Sequence, residues 1–101
     1  MQIAIDFNIG RRQNSLANQI IFEEAKPRLS RQCKVLFTHL NAGMKVSVAD
    51  GINGLWDTEN KEVVYIGDLR ARKRDLVAAG FPVQHETMKG GYRRFFINKY
   101  L

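Results

Sequence analysis

The chain has 101 residues, 45% of them apolar and 26% charged, with a formal net charge of +6 and a single cysteine, Cys33. That length holds one domain, since halves of it would be too small to bury a core, and the composition is that of a globular protein. No apolar run approaches the ~20 residues that span a bilayer, nothing at the start reads as a secretory signal, and a lone cysteine excludes an internal disulfide. The expected setting is the cytoplasm.

Residues 1–14 alternate through Ile3, Ile5 and Phe7 and then reach Gly10, Arg11 and Arg12, a pattern compatible with a short edge strand or an arm. From Ser15 to Lys26, Leu16, Ala17, Ile20, Ile21 and Ala25 recur at helical spacing until Pro27 closes the segment. Ser30 is a candidate N-cap for the next helix, whose apolar stripe is Cys33, Leu36, Phe37 and Leu40. Gly43 ends it. Met44–Val46 suits a short strand, Ser47 can cap a brief helix through Ile52, and Asn53-Gly54 reads as a turn. Residues 55–62 read as a polar connection anchored by Leu55 and Trp56, with Trp56 assigned to packing. Val63–Ile66 is strand-like, yet the pattern predicts a helix over 65–79 with Ile66, Leu69, Leu76 and Val77 on its apolar sector. Gly80 stops that helix. Val83–Thr87, a glycine turn and Tyr92–Leu101 then read as a β-hairpin.

The charge is concentrated in this last part. Residues 65–101 carry eight cations against Asp68, Asp75 and Glu86, +5 of the total +6. Such asymmetry is the footprint of a polyanion-binding surface or of a solvated face, and the order of elements decides between them. On the 65–79 helix, Arg70 and Arg74 share one flank and Arg72 falls on the other. Lys73 lies in the apolar sector, where its stem can cover apolar surface while the ammonium reaches water. Arg93 and Arg94 point to opposite faces of their strand.

The residues resemble a family of small winged helix-turn-helix domains found in phages and bacterial mobile elements. The resemblance runs through Gln32, Leu36 and Gly43, then Leu69, Arg72, Lys73, Leu76, Gly80 and Val83, then Gly90, Gly91, Arg94, Phe95, Phe96 and Ile97. It covers about two thirds of the chain. Lys73 stands where the family pattern has isoleucine, and the segment from Ile52 to Val64 is longer than usual.

The resemblance implies an α+β fold, a winged helix-turn-helix with a helical core and a C-terminal β-hairpin wing over residues 15–101. It implies binding to double-stranded DNA, with helix 65–79 in the major groove and the 87–94 wing on the backbone, in a transcriptional regulator or recombination accessory factor. The expected DNA-binding residues are Arg70, Arg72, Lys73, Arg74, Lys89, Arg93 and Arg94. Arginine forks suit guanine O6 and N7, and phosphate contacts supply affinity. Arg70 with Asp75, or Asp68 with Arg72, could instead be plain surface pairs.

Other readings compete. A winged helix can serve as a protein-interaction module, with residues 3–7 and the Ser15–Lys26 helix forming a homodimer surface, and RNA is a third class of partner. Tyr92, Phe95 and Phe96 could stack on bases, although strand alternation puts at least one phenylalanine in the core. Cys33 reads as core; with His39 and His85 it matches no zinc spacing. Asp57, Glu59 and Glu62 read as a polar loop with no catalytic partner. Neither an enzyme nor a cofactor, metal, membrane or small-molecule partner is expected.

Overall fold

A computed structural model describes residues 17–97. A helix, α1, covers residues 17–25 and tightens into a 3₁₀ turn at Lys26–Arg28, with Pro27 inside it. Then come α2 (Arg31–Asn41), β1 (Val46–Ser47), α3 (Val48–Asn53), β2 (Leu55–Asp57), β3 (Glu62–Val64), α4 (Leu69–Ala78), β4 (Val83–Thr87) and β5 (Arg93–Ile97). Strands β1, β5 and β4 form one antiparallel sheet in that spatial order, and β2 and β3 form a separate hairpin. The fold is α+β. Residues 1–14, and the dimer surface expected to include residues 3–7, lie outside the described residues, as does the chain beyond Ile97.

Local chemistry explains where the helices begin. The Ser30 hydroxyl accepts from the Cys33 N–H at 3.2 Å, satisfying an orphan donor in the first turn of α2. Ser47 caps α3 and, together with Asp50, forms a reciprocal capping box, which lets a helix of only 6 residues persist. At the far end of α4, Gly80 takes φ 104° and the Phe81 N–H returns to the Leu76 carbonyl, closing the helix as a Schellman turn.

The core joins all layers. Phe37 stacks on Phe22 of α1 at 4.4 Å between ring centroids and tilts against Phe81, just after α4, at 4.6 Å. Around them lie Leu36, Leu40, Val46, Ile66, Leu69, Leu76, Phe95 and Ile97, all buried. Phe95 is thus the core phenylalanine and Phe96 is half-buried on the other face of β5.

Two expectations fail here. The basic helix begins at Leu69 and not at Tyr65, because the segment before it is held by tertiary bonds outside any helix: the Ile66 N–H donates to the Gly51 carbonyl at 2.8 Å, and Gln32 Nε2 donates to the Tyr65 carbonyl at 3.0 Å. The Asp68 carboxylate then accepts from the Ala71 N–H and starts the helix. Ile66 is buried without being helical, and Val77 is exposed.

The supposed polar connection is the β2–β3 hairpin, with Leu55 facing Val64, Trp56 facing Val63 and Asp57 facing Glu62. Its organising group is Asp57, buried at 6% exposure. One carboxylate oxygen accepts from the N–H groups of Glu59 and Asn60; the other accepts from the Asn60 amide and from Arg31 Nε of α2. Arg31 also pairs with Glu62, so the hairpin is tied to the start of α2. Leu55 is the buried residue of the pair expected in the core; Trp56 faces out.

Two consequences can be measured. Chiefly the Asn60 amide, assisted by backbone N–H groups and Arg31 against the opposing effect of burial, holds the Asp57 carboxyl down to about 2. A carboxylate with a lowered native pKa contributes stability that is complete above its unfolded pKa of about 4 and is lost as pH falls through the native value. The melting temperature should therefore fall between about pH 4 and pH 2, and Asp57→Asn should reduce the slope in that window. Gly54, which ends α3 at φ 108°, has room for no side chain: a Cβ there would sit 2.3 Å from Val63 Cγ1. Gly54→Ala should cost about 2–3 kcal/mol in chemical denaturation, from positive-φ strain plus the displacement of Val63.

Candidate nucleic-acid interface

Helix α4 divides its seven-residue repeat between two duties. Leu69 and Leu76 are buried, while Arg72 and Lys73, one turn on from Leu69, are half-buried. Lys73 thus sits at the margin of the apolar face with only part of its length covered, as a long stem with a charged tip allows.

Arg72 lies on the flank toward α2. Its Nε is 3.1 Å from the Asp75 carboxylate, an ion pair not aligned for a hydrogen bond. Cys33 Sγ lies 3.6 Å from Asp75 and 3.8 Å from the Arg72 carbonyl, so this corner is an internal polar contact between α2 and α4. Burial pushes the Cys33 thiol up, which keeps it protonated and unreactive. The surface pairs considered from sequence are replaced by Arg72 with Asp75, and Asp68 serves as the cap.

The other flank is different. Arg70 and Arg74, one turn apart, are both exposed. No described carboxylate lies within 4.0 Å of Arg70, Lys73, Arg74, Lys89 or Arg93.

The β4–β5 hairpin places its two arginines on opposite faces. Arg94 stands across from Glu86 and binds it at 2.7 Å, and Lys45 reaches the same carboxylate at 3.1 Å. Lys45 first, then Arg94, hold the Glu86 carboxyl below the usual range. Arg93 shares the parity of Phe95 and Ile97 and so lies on the core side of the sheet, but at the end of the strand where the core has run out. There it meets the first turn of α4. A cleft of about 400 Å³ is lined by Arg70, Arg93, Tyr92 and the Ser47–Ala49 start of α3. Tyr92 is exposed, and Gly90 and Gly91, at φ 101° and 89°, turn the β4–β5 hairpin beside it with Lys89 at the tip.

The seven cations expected at the site therefore separate. Arg70, Lys73, Arg74, Lys89 and Arg93 keep heads free of described carboxylates, and Arg70 and Arg93 share a cleft. Arg72 and Arg94 are engaged internally. Sequence reasoning missed Lys45, whose ammonium also lies 5.6 Å from the Phe96 ring centroid. It also missed Ser47 and Ala49 as cleft lining; the Ser47-x-x-Asp50 cap was the available signal. Among the described residues no group of three or more His, Cys, Asp or Glu side chains could hold a metal, and no helix is long and apolar enough to cross a membrane.

Comparison of the chain with protein-family models, with curated proteins and with solved structures finds no match.

Proposed function

We propose that the chain is a winged helix-turn-helix protein that binds double-stranded DNA without catalysing a reaction, in the manner of a phage or mobile-element regulator or recombination accessory factor. The reading rests most on one observation: Arg70 of α4 and Arg93 of the wing, 23 positions apart in sequence, line the same cleft with no described carboxylate to neutralise either. The order α2, β1, α3, α4, β4, β5, interrupted by the β2–β3 hairpin between α3 and α4 and with β1 and β4 on either side of β5, supports the fold half of the reading. In this arrangement α4 enters the major groove with Arg70 and Arg74 toward base edges or phosphates. Arg93 and Lys89 hold the adjoining backbone, and Tyr92 packs against the sugar-phosphate edge. Arg72 and Arg94 act inside the protein, setting the pose of α4 and the twist of the wing.

Selection of bound sequences from a random duplex pool at two salt concentrations tests this, with structured RNA as competitor. Enrichment of a defined duplex motif is expected, with affinity falling roughly as the fourth power of salt for four to five phosphate contacts. Absence of binding at low salt, or displacement by RNA in preference to duplex, would contradict it.

A further inference from the structure

The apolar pattern of the sequence places Val77 on the core-facing sector of the basic helix, and the fold leaves it outside. Leu69 and Leu76 supply the buried contacts of α4, whereas Val77 is 45% exposed. Its neighbours on the helix surface are the two free arginines. Arg70, Arg74 and Val77 stand at i, i+4 and i+7, and all three are exposed. At about 100° per residue they fall within an arc of roughly 60°, about a third of a turn from the line of Leu69 and Leu76.

A single valine on a surface is ordinary. This one is set apart by the ridge it completes. Arg70 opens at one end into the cleft with Arg93 and Tyr92, and no described carboxylate lies within 4.0 Å of Arg70 or Arg74. A polyanion held by both arginines therefore also covers Val77. The ridge is about 10 Å long, close to three base-pair steps of about 3.4 Å, and spans the seven positions over which recognition helices read.

Side-chain length divides the work along such a ridge. A helix about 10–12 Å across fills a major groove about 12 Å wide, so long arginines reach phosphates or guanine edges while a short side chain meets the groove floor. The groups that bases display there are hydrogen-bond donors and acceptors, with one apolar exception, the thymine 5-methyl. Valine offers no hydrogen bond, so against any other base edge it would leave a polar group dry and unpartnered.

We propose, on the basis of the DNA-binding reading above, that Val77 is a specificity-determining residue that reads a thymine. Its γ-methyl groups pack on the 5-methyl about one to two base pairs from the step contacted by Arg74, as three residues of helix rise dictate. The recognition site then contains a thymine at a fixed distance from the arginine-contacted bases.

Replacing thymines of the selected duplex by uracil, one at a time on both strands, removes the methyl and nothing else. Fluorescence anisotropy should show one position at which uracil weakens binding about fourfold, the worth of one buried methyl group. Val77→Ser, at an exposed position and so with a nearly unchanged thermal melt, should bind the parent duplex and that uracil duplex equally well. A parent duplex that is not bound at any salt would overturn both the DNA-binding reading and this one. A parent that is bound with uracil tolerated at every position, a selected motif without thymine, or a uracil penalty that survives in Val77→Ser would overturn this one alone.

Discussion

Replacing Arg70 and Arg93 together with alanine should weaken binding to duplex DNA by roughly 30-fold to 1000-fold at moderate salt, about 2–4 kcal/mol for two lost contacts. The two residues come from different elements, and their shared cleft predicts that they act on one stretch of the duplex. Losing them should also lower the slope of log affinity against log salt by one to two, since each released phosphate contact carries about one counterion. Folding should be unaffected: both side chains are exposed, and neither is in an ion pair with a described carboxylate. Replacing Arg72 and Arg94 instead should leave the salt slope nearly unchanged while lowering the melting temperature, because their partners are Asp75 and Glu86 within the protein. Fluorescence anisotropy across a salt series, with a thermal melt of each variant, separates the two outcomes.

The largest expected effect on stability is that of Phe37→Ala, about 3–5 kcal/mol by chemical denaturation. Phe37 is 1% exposed and lies between the rings of Phe22 and Phe81. Its removal empties a space bordered by three separate elements, α1, α2 and the segment leaving α4, none of which can close the gap without disturbing the others. A domain of this size has total stability of about 5–15 kcal/mol, so the variant should lie close to its unfolding midpoint at physiological temperature. Phe37→Leu, which refills most of the volume, should recover at least half of the loss.

How much of this could be read from sequence follows from which forces were local. The starts of α2 and α3 were legible because Ser30 and Ser47 act on N–H groups three residues away, and the β4–β5 hairpin because Gly90 and Gly91 permit a backbone that other residues resist. The true start of α4 was hidden. Apolar spacing made Ile66 look like the first residue of a helical stripe, whereas its N–H is taken by Gly51, 15 positions earlier, and that bond is tertiary. The hairpin was hidden for a related reason: its inward residues are Leu55, Val64 and a carboxylate, Asp57, which disguises the alternation of a strand. An acidic residue reads as solvated until Arg31, 26 positions away, is seen to pair with it. At the candidate site the flanks of α4 were correctly separated by helical geometry alone. The engagement of Arg94 by Glu86 required strand register, and the meeting of Arg70 with Arg93 required the whole fold.

The most direct test of the central claim is a backbone and arginine-side-chain NMR titration of the protein with a bound duplex at two salt concentrations. The largest shifts should fall on residues 69–77, on Ser47–Ala49 and on residues 88–93, with the Arg70, Arg74 and Arg93 guanidinium signals moving together and returning as salt is raised. Shifts confined to α1 or to the β2–β3 hairpin, with those three guanidinium groups unmoved at saturation, would contradict the account.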